Sequence, residues 1–276
     1  MPKVAFMSMD VESYFDTLCL KNKKIDRNPK YNCAIDIQKY VHFLNKHHIK
    51  GTFFVVADFI KDCKEYLLEA IKDGHEIGLH CLHHQSYKKT SKEDFRKDII
   101  EAIDIVKKEL GVTPVGFRFP CFKPREELLD VLKELGFIYD SSVVKPSKKK
   151  YKQVQGFVYD RGDLVEFAPN IFDFPLKKVL LSGGGYCRFL EGKQLDSVLH
   201  KHINKNDSFL VYFHPFEIHE GYLPVPWNIL AAQKRYLRKN RDKYLNFLDE
   251  LIAYLKDHGY EFSNMKEYAN NYFNNK

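Results

Sequence analysis

Short continuous apolar runs alternate along this chain with longer stretches in which apolar residues recur at three- and four-residue intervals. Residues 3–9 mix Val, Phe and Met and end at Asp10, the pattern of a buried strand. Ile37, Val41, Leu44 and His48 follow at helical spacing and stop before Gly51. Residues 52–56 read as a second strand, 58–72 as a helix ended by Gly74, and Glu76–Leu79 as a third strand. Residues 91–110 are predicted helical up to Gly111, 114–119 extended, 126–135 helical up to Gly136, and 137–140 a further strand. This alternation implies parallel strands joined by crossover helices, in an open doubly wound sheet or a closed barrel.

Beyond residue 140 the pattern loosens. Residues 157–159 and 164–167, separated by Asp160-Arg161-Gly162-Asp163, predict an antiparallel hairpin, and the lysine-rich stretch 148–152 a loop. Gly183-Gly184-Gly185 permits unusual backbone angles and close approach of a ligand; a plain flexible turn is the other reading. Helix is predicted over 195–203, and Ser208–Phe213 is a buried strand ending in His214. Tyr244, Leu248, Leu251, Ile252 and Leu255 mark a last long amphipathic helix, and Tyr260–Phe262 a last short strand. No repeat, linker or boundary interrupts residues 1–276, which are expected to form a single catalytic domain.

The chain is 44% hydrophobic and 29% charged, ordinary for a globular protein and far from the disordered or fibrous classes. Its first residues hold too short an apolar run for a signal peptide, and no stretch approaches a membrane span. Six scattered cysteines with no C-x-x-C pair suggest neither a disulfide framework nor a zinc ribbon. The expectation is a cytoplasmic protein with reduced thiols. The net charge of +7 is concentrated, with six basic positions among residues 234–243. Such a cluster suits an anionic membrane face or, as the plainer reading, a solvated helix face. No nucleic-acid recognition motif accompanies it.

Chemistry gathers where predicted strands end. His80 and His84, four apart, are expected on one face of a tight helical turn after the third strand, where two imidazoles suit zinc or a first-row neighbour. A solvated histidine face is the alternative. Asp10 and Glu12 are two positions apart and point the same way in extended chain, so one can bind the metal while the other serves as general base. Arg118, Asp173 and His214 stand at other strand ends, as catalytic groups do in parallel α/β barrels.

Four segments in order resemble the polysaccharide deacetylases, carbohydrate esterase family 4, with its NodB-homology domain. They are Ser8-Met9-Asp10-Val11-Glu12, His80-Cys81-Leu82-His83-His84, Arg118-Phe119-Pro120 and Phe213-His214-Pro215. Gly74-His75-Glu76-Ile77-Gly78 and Tyr139-Asp140-Ser141-Ser142 frame them similarly. The resemblance spans roughly residues 3–217. It implies a distorted (β/α) barrel, with Asp10 as base, His80 and His84 as metal ligands, and His214 as the acid that protonates the departing amine. Arg118 would orient Asp10, and the backbone N–H of Cys121 would help stabilise the oxyanion. Many members place a third ligand directly after the base, where this chain has Val11; on the D-V-E pattern Glu12 takes over as ligand. Asp173-Phe174-Pro175 and residues 182–188 resemble the exopolysaccharide-linked, signal-less subgroup, and Asp173 is expected either to orient His214 or to serve as a structural turn acid.

The resemblance further implies a single divalent metal, zinc by expectation, and removal of an N-acetyl group from an amino sugar. A cytoplasmic location points to a nucleotide- or lipid-linked sugar, with the basic stretch 234–243 near the inner membrane face. Hydrolysis of another C–N bond, in a formamide or cyclic ureide, and a non-catalytic carbohydrate-binding barrel are the alternatives. The lone Trp227 is expected to pack as a loop anchor rather than to stack on sugar; His83 is expected to be solvated, and Cys81 and Cys121 to pack beside the site.

Overall fold

Strand β1 (Lys3–Val11) is buried along all but its first residue and is the axis of the sheet. The computed structural model describes residues 2–17, 20, 23–174, 177–180, 183–188 and 206–276. Parallel partners flank β1 on both sides: β2 (Thr52–Val55) along Ser8–Val11, and β11 (Ser208–Phe213) along Val4–Met9. The final strand, β12 (Tyr260–Phe262), pairs with the start of β1. Beyond β2 the order continues through β3 (Glu76–Leu79), β4 (Gly116–Phe117), β5 (Tyr139–Asp140) and β8 (Val165–Phe167), all parallel. The antiparallel strands β7 (Val158–Asp160) and β6 (Lys152–Gln155) complete the sheet.

Side-chain bonds draw this edge toward β11. Gln155 Nε2 donates to the Asp207 carbonyl at 3.0 Å, Ser208 Oγ accepts from Phe157 N at 2.6 Å, and Asn170 Oδ1 accepts from Leu210 N at 3.1 Å. Gly183 adds a parallel bridge to Tyr212. The result is a nearly closed barrel sheet with helices packed around it. A separate pair, β9 (Ile171–Phe174) and β10 (Lys177–Leu180), is antiparallel.

Strand alternation decides which side chains face inward. Along β1, Ala5, Met7, Met9 and Val11 join the outer core with α1 (Ile35–Lys46), α2 (Ile60–Lys72), α3 (Lys92–Leu110) and α4 (Glu126–Glu134). Val4 and Phe6 instead join an inner core with Phe54, Tyr139, Phe167, Leu210 and Tyr212. The same inward series continues as Ser8, Asp10 and Glu12, so the barrel interior turns from apolar to polar toward the carboxyl ends of its strands. Gly116 is required within it: a Cβ there would lie 1.8 Å from the Tyr139 ring.

The helices carry their own start and stop signals. Ser91 caps α3 by accepting from Asp94 N at 3.0 Å, and Gly111, at φ 72°, ends it in the left-handed region. Several expected elements differ in extent. The stretch 114–119 contributes only the two residues of β4, and Lys152, expected in a loop, begins β6. A single helical turn, α5 (Gly184–Cys187), packs beside β11. Three helices follow β11: α6 (Ala231–Arg238), the expected α7 (Tyr244–Asp257), and α8 (Met265–Asn274). Neither α6 nor α8 was among the expected elements: α6 offers few apolar positions, whereas Met265, Tyr268, Ala269, Tyr272 and Phe273 of α8 do recur at helical spacing. Met265 and Ala269 of α8 enter the inner core, and Lys266 N donates to Glu76 Oε2 at 2.9 Å. The helix expected over 195–203 lies outside the described residues.

Candidate active site

Asp10 and Arg118 form a buried pair, with Arg118 Nη1 2.6 Å from Asp10 Oδ1. The guanidinium is held from every side. Nη1 also donates to Ser8 Oγ at 3.1 Å, Nε to the Ser141 carbonyl at 3.2 Å, and Nη2 to Ser141 Oγ at 2.8 Å. Its flat face lies 4.1 Å from the Phe54 ring centre. A planar, multiply bonded cation fixes one oxygen of Asp10 and leaves the other for proton transfer.

Glu12, His80 and His84 converge beside this pair, with ligand atoms all within 4.8 Å of one another. Glu12 Oε2 lies 2.7 Å from His84 Nε2 and 3.6 Å from His80 Nε2. Neither contact has hydrogen-bond geometry, so a buried carboxylate oxygen is left facing two imidazole nitrogens. Burial alone would raise the Glu12 pKa, but the charges of His84 and His214 and the facing imidazoles hold it well below the usual range. His80 Nδ1 is 2.7 Å from the Arg118 carbonyl; a carbonyl only accepts, so Nδ1 carries the proton and Nε2 presents its lone pair to Glu12. An orphaned carboxylate oxygen and an imidazole of fixed tautomer fit a divalent metal.

The backbone route to this cluster departs from the expected helical turn. Residues 80–84 form an irregular bend in which Cys81 adopts φ 77°. Ala57 N and Asp58 N donate to the Cys81 and Leu82 carbonyls at 3.0 Å, pulling those carbonyls out of any helical ladder. The two histidines meet through this bend. Cys81 is fully buried, and His83 is exposed beside Asp58 at 3.2 Å.

His214 follows β11 and places Nε2 3.8 Å from Glu12 Oε1. Its Nδ1 lies 3.0 Å from Glu217 Oε2, and Glu217 is bonded in turn by Arg188 Nη2 at 2.8 Å. Burial would lower the His214 pKa, but Glu12, Glu217 and Asp10 together raise it to about 9. The carboxylate found on His214 is therefore that of Glu217. Asp173 lies on β9, and its side chain falls outside the described residues. Gly184 serves this arrangement, since a Cβ there would lie 2.7 Å from Phe213 Cβ and 2.9 Å from Glu217 Oε2. The close approach expected for a ligand at Gly183-Gly184-Gly185 is thus made by the protein's own Tyr212, Glu217 and Tyr236.

Asp10, Glu12, His80, His84 and His214 open into one pocket of about 510 Å³. Cys121 lines it with φ 61°, inside the turn Pro120–Phe122. Sequence reasoning missed several wall residues: Lys123, Tyr212, and Gln233 and Tyr236 of α6. Trp227, expected to pack, is 87% exposed.

The polysaccharide deacetylase family model matches residues 32–139, and a domain of unknown function, DUF3473, matches residues 145–270. Residues 32–139 are thus similar to the polysaccharide deacetylases. An uncharacterized protein of Bacillus subtilis, YlxY, is 26% identical over 98 residues, covering 36% of this chain and 31% of that protein. A peptidoglycan deacetylase of Helicobacter pylori is 22% identical over 110 residues, covering 40% of this chain and 38% of that protein. The matched segments thus span about a third of either relative. Among solved structures, a Mycobacterium smegmatis protein provisionally described as a polysaccharide deacetylase shares the fold at a TM-score of 0.65 and 17% identity, covering 98% of this chain and 91% of that one.

Proposed function

We propose that this protein is a metal-dependent hydrolase that removes the N-acetyl group from an amino sugar. The observation that carries the reading is the convergence of Glu12, His80 and His84 beside the Asp10–Arg118 pair, in the pocket that His214 also lines. Similarity to the polysaccharide deacetylases over residues 32–139 supports the reaction class, and the mixed imidazole and carboxylate set favours zinc. Six cysteines scattered through the sequence with no C-x-x-C pair are in keeping with the expected cytoplasmic location.

Glu12, His80 and His84 would hold a divalent metal, which would supply Lewis acidity toward the substrate carbonyl and a water acidic enough to attack near neutral pH. Asp10, with Oδ1 held by Arg118, takes the proton of the attacking water on its other oxygen. As the C–N bond breaks, protonated His214 delivers its Nε2 proton to the departing nitrogen, and Glu217 on Nδ1 keeps the ring aligned. The backbone amide of Cys121 is assigned to the developing oxyanion.

The test is metal content together with product identity. Reconstituted protein is expected to hold one metal per chain, to lose it in His80→Ala and to bind it more weakly in Glu12→Ala. It should release acetate, not formate, from a panel of N-acylated amino sugars. Absence of tight metal after reconstitution, or release of formate alone, overturns the proposal.

A further inference from the structure

Six large hydrophobic residues are exposed among those described, and the three most exposed lie within nine positions of one another: Tyr222 at 69%, Trp227 at 87% and Leu230 at 71%. The other three, Ile35, Leu68 and Ile100, are exposed by 41–45% and stand on separate helices. The segment that carries the cluster is firmly seated. Leu223, Pro224 and Pro226 are buried, Tyr14 Oη donates to the Pro224 carbonyl at 2.9 Å, and Arg241 Nη2 donates to the Gly221 carbonyl at 2.8 Å. Two prolines fix the backbone between these anchors. Tyr222, Trp227 and Leu230 therefore project from a rigid base.

The apolar tips run directly into basic surface. Leu230 is the N-cap of α6, which carries Lys234 and Arg238, with exposed Lys243 beyond. On the other flank, the Tyr222 ring meets Tyr31 edge-on at 5.9 Å, and Lys30 Nζ lies 4.8 Å from the Tyr31 ring centre. Aromatic and aliphatic tips ringed by lysine and arginine form the signature of a surface that seats in the headgroup region of an anionic bilayer.

We propose that this patch docks the protein peripherally on an anionic lipid surface and presents the pocket to a sugar carried on a lipid. No described helix is long and apolar enough to cross a membrane. Gln233 and Tyr236 line the pocket from the helix that Leu230 begins, about 5–9 Å further along its axis. The pocket wall and the inserting Leu230 thus share one helix, which carries the pocket close to the bilayer surface when the patch is seated. The charge pattern selects this occupant over two others. A second copy would set one basic patch against another in a two-fold contact. A neutral glycan stacked on Trp227 and Tyr222 gains nothing from Leu230, which has no π-face, or from the cations. The substrate part of the inference rests on the pocket being the active site; the docking part does not.

Trp227 is the chain's single tryptophan, so the unmodified protein reports its own docking. Its emission is expected to shift to the blue when phosphatidylglycerol–phosphatidylcholine vesicles are added at low salt. Phosphatidylcholine vesicles alone should leave it unchanged, and high salt should reverse the shift. Co-sedimentation with the anionic vesicles should fall at least tenfold in Leu230→Ser and in a Lys234→Glu/Arg238→Glu variant, with acetate release from a soluble N-acetylated sugar unchanged. A shift produced by soluble N-acetylglucosamine oligomers and not by vesicles overturns the inference in favour of a glycan platform. A shift that depends on protein concentration alone overturns it in favour of self-association, and no shift under any condition overturns it outright. Acetate release from every substrate could fail while the vesicle results stand, so docking and deacetylation are separable.

Discussion

His214 and Glu217 are joined twice: both the backbone N–H and the ring Nδ1 of His214 lie 3.0 Å from Glu217 Oε2. The proline between them starts a short helical turn, Pro215–Ile218, which brings the third residue after His214 back onto its own cap. Arg188 then neutralises Glu217 from a separate segment, so the imidazole leans on a carboxylate that is itself fixed.

Glu217→Gln keeps an acceptor for the ring and withdraws the charge from both partners. Breaking the buried pair with Arg188 is expected to lower stability by about 3–5 kcal/mol. Because Glu217 acts through His214 and touches no substrate, kcat should fall about tenfold or more with KM nearly unchanged. Steady-state kinetics beside a urea titration check this. A variant whose KM rises while kcat holds would show that Glu217 shapes the pocket rather than positioning the acid.

Arg118 serves two groups by different atoms. Its side chain pairs with Asp10 and its carbonyl accepts from His80 Nδ1. Arg118→Lys retains that carbonyl and a positive charge but cannot reproduce the fork that reaches Asp10, Ser8 and Ser141 together. The expected outcome is metal stoichiometry equal to wild type, with kcat reduced about 10²-fold or more as the general base loses its alignment. Loss of metal along with activity would mean that the side chain, and not the carbonyl, organises His80.

These contacts show where the chain could be read and where it could not. Strand β11 matches the residues expected because its apolar run is buried on both faces, and β12 because Tyr260 and Phe262 alternate with exposed Glu261. Asp10 and Glu12 share a face because strand period is two, which needs no tertiary knowledge. His80 and His84 were placed together by a helical argument, and the structure brings them together by an irregular bend at Cys81. The partner of His214 was not legible, because it depends on a turn at Pro215 and on Arg188, 29 positions before Glu217. Gln233 and Tyr236 were hidden for a related reason: α6 is so basic that only its tertiary position reveals an inward wall.

A last prediction concerns stability and pH. Asp140 and Glu166 are fully buried near one another, and Ser142 N donates to both, to Asp140 Oδ2 and to Glu166 Oε1, at 3.0 Å. Burial raises the Asp140 pKa from 3.8 to about 6, against the pull of Glu166 and Ser142 hydrogen bonds and the Arg118 charge. Glu166 is pushed well above its ordinary value by burial and by Asp140; Val143 N and Ser142 N oppose the rise, and Tyr151 faces the same pair. Two carboxyl groups raised in the folded state bind protons that the unfolded chain releases. Their stabilisation is fully present below about pH 4 and is lost as pH rises through about 6 and then through the higher Glu166 value. The Asp140 part amounts to about 3 kcal/mol. Asp140→Asn removes that titration and relieves Glu166, so urea midpoints from pH 4.5 to 8 should show the variant gaining on wild type as pH rises. Parallel curves for the two proteins would mean that the pair is ionised alike in the folded and unfolded chains.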